Sequence, residues 1–280
     1  MKVTFIYPNL WAHIKSTDAL QPLAIAGLAA HTPSHWDIQF FDERIEKIDF
    51  CEPTNLVVLS IMTFTAKRAY NISAYYREKG IPVIMGGFHP TLLPDEVAEH
   101  ADAVVTGDLE AIWEQILFDV ENNNLKSIYN AEILTNPADI SFDRSVFNNK
   151  RYAPMIPVQF SRGCRFSCDF CSIHAFYGSN IIKRSTEHVL GEIASIPQKF
   201  IMFVDDNLFS NKSGILQFMK ELKCLKKSWT CQISIDAAFD EELLCEMKDS
   251  GCSAVLVGFE SMNEDNLKAM SKGHNIKHKD

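Results

Sequence analysis

The sequence predicts an α/β protein made of two parallel-sheet units. Three observations predict it. Short apolar, β-rich runs alternate with helical patterns up to about residue 120 and again after residue 155, and such alternation gives parallel sheets with right-handed crossovers. Asn55–Met62 reads NLVVLSIM, a continuous apolar run of the kind covered on both faces. Between the two alternating stretches, residues 121–155 are rich in Asn, Asp and Pro and lose their periodicity, as a connecting segment does.

In order, the first half opens on a strand at Val3–Tyr7, which stops at Pro8. A polar loop leads to a helical pattern at Leu20–Ala30, then to strands at Trp36–Phe41 and Asn55–Met62. The helix expected over Thr65–Lys79 ends at Gly80, a residue suited to the left-handed turn that closes a helix. Ile81–Met85 is a strand running into Gly86-Gly87. Pro94–His100 is a short helix with Pro at its first position. Ala103–Thr106 is a strand ending at Gly107, and Leu109–Val120 a helix stopped by Glu121-Asn122-Asn123-Asn124. The expected domain is residues 1–125, followed by a linker at 126–154 with a short strand at Ala131–Leu134. The second domain, 155–280, carries strands at Val158–Ser161, Phe200–Val204, Cys231–Ile235 and Ala254–Phe259. Its helices are expected at Thr186–Ser195, Ser213–Lys226, Asp240–Ser250 and Asn263–Ser271, and a polar tail runs from Gly273.

Composition narrows the function. Of 280 residues 46% are hydrophobic and 22% charged, a normal globular balance. The formal net charge of -9 argues against nucleic acid held on a broad basic face and favours a small-molecule substrate. No run approaches the ~20 apolar residues of a membrane span. Met1–Pro8 has one basic residue and reads as a first strand, not a signal peptide, so the expected compartment is the cytoplasm.

Three of the eight cysteines, Cys164, Cys168 and Cys171, crowd into Cys-Arg-Phe-Ser-Cys-Asp-Phe-Cys. In a reducing compartment a tight cluster binds metal more often than it forms disulfides. Cys51, Cys224, Cys231, Cys245 and Cys252 are scattered and read as packing residues. The cluster follows a strand, at the end where βα architectures collect catalytic groups. Iron–sulfur clusters are commonly held by four thiolates, so three leave one iron open to a ligand. A structural zinc site completed by His174 is the alternative.

Later strand ends place polar residues at the same end: Asp205-Asp206-Asn207, then Ser234 and Asp236, then Gly258-Phe259-Glu260-Ser261. Singly, each also reads as a helix N-cap. In the first half the loop at Pro8–His13 lacks Gly-x-Gly-x-x-Gly, which disfavours a dinucleotide. Glycines instead follow later strands, in Gly86-Gly87-Phe88-His89-Pro90 and in Gly107-Asp108-Leu109-Glu110, where Gly permits positive φ and close backbone approach.

Cys-x-x-x-Cys-x-x-Cys with Phe170 before the last cysteine resembles the signature of radical S-adenosylmethionine (SAM) enzymes. The resemblance implies a partial (β/α)6 barrel whose first loop holds a 4Fe–4S cluster on Cys164, Cys168 and Cys171. It implies SAM contacts from Phe170, Asp205, Asp206, Asn207, Ser234 and Glu260, and a reductant such as flavodoxin or ferredoxin. The first half is similar to the doubly wound, Rossmann-like cobalamin-binding domain that precedes the barrel in one branch, which includes methylases of unactivated carbon. Ser60, Thr63, Gly86, Gly87, His89, Gly107 and Glu110 are then the expected cobalamin residues, with His89 equally readable as a loop-stabilising residue. The Asp-x-His-x-x-Gly element of many cobalamin proteins is missing, as is common in that branch. The barrel is expected to be incomplete, ending after its fourth strand, so a partner chain completing it and a non-catalytic fragment both stay open.

Overall fold

The structure, a computed structural model, describes residues 1–11, 14–131, 140–210 and 214–278. The chain divides into two units, Met1–Ala153 and Pro154–Asp280.

The first unit is a six-stranded parallel sheet of β1 (Lys2–Tyr7), β2 (Asp37–Asp42), β3 (Leu56–Ser60), β4 (Val83–Gly86), β5 (Ala103–Thr106) and β6 (Ile128–Asn130), in the order β2-β1-β3-β4-β5-β6. Its helices are α1 (Leu23–Ala30), α2 (Ala66–Glu78), α3 (Phe88–Leu92), α4 (Pro94–Ala98) and α5 (Trp113–Glu121). Alternate strand residues feed opposite cores, because side chains change face at every residue. Val3, Phe5, Leu56 and Val58 meet Ile25, Leu28, Trp113 and Ile116 from α1 and α5. Ile6, Val57 and Leu59 meet Ala69, Ile72 and Tyr76 of α2 and Val97 of α4. The sheet is therefore wound on both faces, and its strand order reverses between β1 and β3, where such sheets take ligands.

Three expectations change, one being that Leu109–Ile112 is a 3-10 turn and the α-helix expected from Leu109 begins at Trp113. Helix α1 starts at Leu23, not Leu20, because Pro22 sits in extended backbone at its cap. The stretch 126–154 is not a bare linker. Within it β6 pairs with β5, Tyr129 is buried, and Phe147 packs edge-on against Phe40 and Tyr152. Isolated aromatics among polar residues carry no period, so the sequence pattern was silent there. The expected strand at Ala131–Leu134 falls largely outside the described residues, and the observed strand precedes it.

The second unit is a four-stranded parallel sheet of β7 (Met155–Val158), β10 (Phe200–Phe203), β11 (Ser228–Ile233) and β12 (Cys252–Val257), in the order β12-β11-β10-β7. A two-residue antiparallel pair, β8 (Ser161–Arg162) and β9 (Ile182–Lys183), lies beside it. The helices are α6 (Ser172–Tyr177), α7 (Thr186–Ser195), α8 (Ile215–Lys223), α9 (Glu241–Asp249) and α10 (Glu264–Ala269). Helix α8 buries Ile215, Phe218, Met219 and Leu222, the i, i+3, i+4, i+7 stripe of an amphipathic helix. Phe218 stacks on Phe160 at 4.3 Å and meets Phe203 edge-on. Side chains of Ser185, Asp240 and Asn263 cap α7, α9 and α10, so the bland capping role seen in sequence falls on these residues.

Strand β7 stops three residues before the expected Ser161, because Phe160 and Ser161 turn their N–H groups to the Asp205 carboxylate and not to a strand. Within the expected polar tail, 273–278 forms a 3-10 turn with Asn275 buried. Of the scattered cysteines only Cys231 is buried and Cys252 is partly so, whereas Cys51, Cys224 and Cys245 are exposed, which corrects their reading as packing residues.

Candidate functional site

Four parallel strands put the C-terminal ends of β7, β10, β11 and β12 at one end of their sheet. A cleft there is lined by Cys164, Cys168 and Cys171 from the loop after β8, by Asp206 and Asn207 after β10, and by Ser234 after β11. Phe170 and Glu260 complete it. Eight of the nine residues expected around the cluster thus share one cavity, although they span nearly a hundred positions of sequence.

The ninth, Asp205, is not on the cleft. Its carboxylate lies beneath the loop and accepts the Phe160 N–H at 3.0 Å, the Ser161 Oγ–H at 2.7 Å and the Ser161 N–H. Burial pushes this carboxyl up to about 7, against the lowering effect of those hydrogen bonds. Asp206 accepts the Gly163 N–H at 2.8 Å, and burial raises its carboxyl too. The acidic pair thus holds the start of the cysteine loop. Cys168 is buried, which pushes its thiol up while the nearby Lys272 ammonium draws it down.

Five residues around the cleft escaped the sequence reading. Arg165 pairs with Asp236 and lies over the Phe166 ring. Phe166 stacks face to face on His274 at 3.7 Å. Lys272 binds Glu260 at 2.8 Å and approaches the Phe170 ring at 5.8 Å. Asn275 donates to the carbonyls of Gly258 and Phe259 at 3.1 and 3.2 Å. Lys272-Gly273-His274-Asn275 has no strand or helix period, so only its run of functional side chains marked it.

The donor set fits a cluster and its ligand. Three thiols line one cleft, and each thiolate of a cubane binds a different iron, so the sulfurs need not meet at a point. A tetrahedral zinc needs four groups converging at 2.0–2.3 Å; among the described residues no three His, Cys, Asp or Glu side chains converge in that way. His174 Nδ1 lies 3.1 Å from the Gly178 carbonyl that ends its own helix. The Asn207 amide oxygen is buried without a partner, an acceptor suited to an ammonium group.

In the first unit the expected residues also follow strand ends. Ser60 pairs with Gly86 across β3 and β4, and Thr63 is exposed at the start of a 3-10 turn. Gly87 and Gly107 hold φ of +111° and +85°, and a Cβ there would lie 2.8 Å from Ile61 O and 2.3 Å from Ala131 O. Their close approach is therefore to the chain's own backbone. Glu110 lies against α1 beside Gly27. His89 is 2% exposed, its Nε2 3.0 Å from the Tyr70 hydroxyl, which donates to Glu96 at 2.8 Å. The Tyr70 contact is of the loop-stabilising kind, while His89 Nδ1 is buried with no partner among the described residues. Around the same strand ends Leu10, Trp11, Ile14, Phe64, Leu92 and Leu93 expose large apolar surface, which suits a large ligand with apolar edges.

Residues 158–278 match the sequence profile of the Radical SAM superfamily, and the second unit carries a radical SAM domain. Over 268 residues the chain is 31% identical to the bacteriochlorophyllide d C-12(1)-methyltransferase of Chlorobaculum tepidum, covering 91% of this chain and 59% of that enzyme. It is 30% identical to the C-8(2)-methyltransferase of the same organism, covering 90% and 60%. The chain spans about three-fifths of the length of these relatives. Among solved structures it superposes on TsrM of Kitasatospora setae, a radical SAM methyltransferase, with a TM-score of 0.80 at 14% identity, covering 99% of this chain and 64% of TsrM. A second TsrM structure, with cobalamin and a [4Fe-4S] cluster bound, gives 0.78. At these identities TsrM speaks for the fold. No helix among the described residues is long and apolar enough to cross a membrane.

Proposed function

We propose that this chain forms the cofactor-binding core of a radical SAM enzyme that methylates carbon with the help of cobalamin. The observation that carries it is the convergence of Cys164, Cys168 and Cys171 with Asn207, Ser234, Glu260 and Lys272 on one cleft at the strand C-termini. When bound, the cluster supplies an electron that cleaves SAM to methionine and a 5′-deoxyadenosyl radical, and cobalamin supplies a methyl carrier. The residues of the chain bind, orient and exclude water. Cys164, Cys168 and Cys171 would hold the cluster as thiolates, three ligands to its four irons. Asn207 would offer its amide oxygen to the SAM ammonium, Ser234 would face the ribose, and Phe170 would line the same cleft. Asp205 and Asp206 keep the loop in register with β10.

The first unit is the cobalamin-binding domain on this reading. The doubly wound sheet, the Ser60 and Gly86-Gly87 turn and the apolar rim from Trp11 to Leu93 support it; His89 is buried against Tyr70 next to that turn. Two relatives named as carbon methyltransferases support methyl transfer. A small-molecule acceptor and a low-potential reductant such as flavodoxin or ferredoxin are the partners. The second unit is then a partial barrel, and further strands beside β12, from a continuation or a partner chain, would cover the exposed Val255 and Leu256.

The test is anaerobic reconstitution followed by Mössbauer spectroscopy and a 5′-deoxyadenosine assay with SAM and a strong reductant. A 4Fe–4S spectrum with 5′-deoxyadenosine formation is the expected result. Zinc in place of iron overturns the reading. A cluster without SAM cleavage reduces the chain to a binding fragment. Repurification after exposure to hydroxocobalamin tests the first unit, and a protein with no corrin spectrum removes cobalamin from the scheme.

A further inference from the structure

Beyond the thiolates themselves, one polar circuit ties the cysteine loop to two strand ends. Asn207 is buried at 3% exposure. Its Nδ2 donates one hydrogen to Ser234 Oγ at 3.0 Å and directs the other at Cys164 Sγ, 3.7 Å away. Ser234 Oγ in turn donates to Asp236 Oδ1, and the other Asp236 oxygen is held by Arg165, the residue that follows Cys164. The circuit closes on itself.

Its polarity is fixed by hydrogen counting. The Ser234 hydroxyl has one proton, and Asp236, an acceptor only when ionised, takes it. What Ser234 presents to Asn207 is therefore a lone pair, which accepts from an N–H and repels a carbonyl oxygen. A flipped Asn207 amide would set oxygen against Ser234 and oxygen against sulfur. The amide is locked with nitrogen toward Cys164.

We propose that Asn207 tunes the reduction potential of the cluster, donating an N–H···S hydrogen bond to the Cys164 thiolate in an orientation locked by Ser234 and Asp236. The inference rests on the cluster reading above and concerns what happens before SAM binds. Adding an electron makes the cluster more negative. A donor dipole aimed at a ligand sulfur stabilises that state more than the oxidised one, and hydrogen bonds to sulfur are among the factors that set such potentials. Asn207 is buried and Cys164 partly so, so the dipole is less screened than it would be in water. Asn207 therefore raises the potential, easing electron entry from the reductant. It acts through the thiolate and is a positioning residue in this role.

The test is a potentiometric EPR titration of the reconstituted, SAM-free protein. In Asn207→Leu the ratio of reduced to oxidised cluster at a fixed poise should fall about tenfold, equal to about 59 mV for one electron. Ser234→Ala, which frees the amide to flip, should give part of that shift in the same direction, and Ser234→Thr, which keeps the hydroxyl, should give none. An unchanged potential in Asn207→Leu on an intact cluster overturns this inference while leaving the cluster assignment standing. Failure of the unmodified protein to take up iron and sulfide overturns both. Should Asn207→Leu take up no cluster, the unmodified protein labelled with 15N-asparagine decides by pulsed EPR: a nitrogen coupling on the reduced cluster supports the hydrogen bond, and its absence overturns it.

Discussion

Replacing Asp205 with Ala tests how the cysteine loop is held. The side chain is buried and accepts two backbone N–H groups, from Phe160 and Ser161, besides the Ser161 hydroxyl. Ser161 can rotate its hydroxyl elsewhere, but the two amides cannot move without moving the loop. An orphaned buried donor costs about 1–3 kcal/mol, so the pair costs about 4 kcal/mol. At about 1.4 kcal/mol per tenfold change, protection of these two amides falls about a thousandfold. Hydrogen–deuterium exchange of peptides covering 155–171 reads this directly, with peptides of the first unit as the internal reference. Asp205→Asn keeps one acceptor oxygen but sets an NH2 against the other amide, so its loss should be about half in free energy. Protection of 160 and 161 within tenfold of the unmodified protein in Asp205→Ala would refute the anchoring role.

Further outcomes follow from the same geometry. Changing any one of Cys164, Cys168 or Cys171 to Ser should reduce cluster content to background, measured as iron and sulfide per chain. In Gly258→Ala the new Cβ would lie 2.7 Å from Glu260 Oε1 and 3.1 Å from Lys272 Nζ; displacing that pair should weaken SAM binding at least severalfold in equilibrium titration, with cluster content retained. Burial raises Asp205 from 3.8 to about 7. Between those values the folded carboxyl keeps a proton that the unfolded one has released, so stability falls as pH rises from about 4 to about 7 and levels above. The slope from this one proton is at most about 1.4 kcal/mol per pH unit; urea unfolding across that range should show it, and Asp205→Asn should lose most of it.

Legibility differed by element for physical reasons. Helix α7 came out at its expected bounds, Thr186–Ser195, and β5 at Ala103–Thr106, because apolar period and capping residues agree there. The cysteine loop was equally plain, since three thiols in eight positions have little structural use. Asp205, Asp206 and Asn207 are consecutive polar residues at a strand end, and nothing in their spacing separates their roles. The structure separates them: Asp205 points under the loop, Asp206 holds Gly163, and Asn207 reaches the cleft. The strand alternation of side chains cannot resolve residues that follow the last ladder bond.

What the sequence by itself determined was therefore local: which segments bury apolar faces, which cap, and which cysteines stand together. The tertiary structure decided everything that depends on residues far apart in the chain. It brought Lys272 to Glu260, His274 onto Phe166 and Arg165 to Asp236, and it buried His89 against Tyr70. The physical reason is that backbone periodicity is written every two or four residues, whereas a site is a surface assembled from the ends of several strands. Only their parallel register puts those ends together.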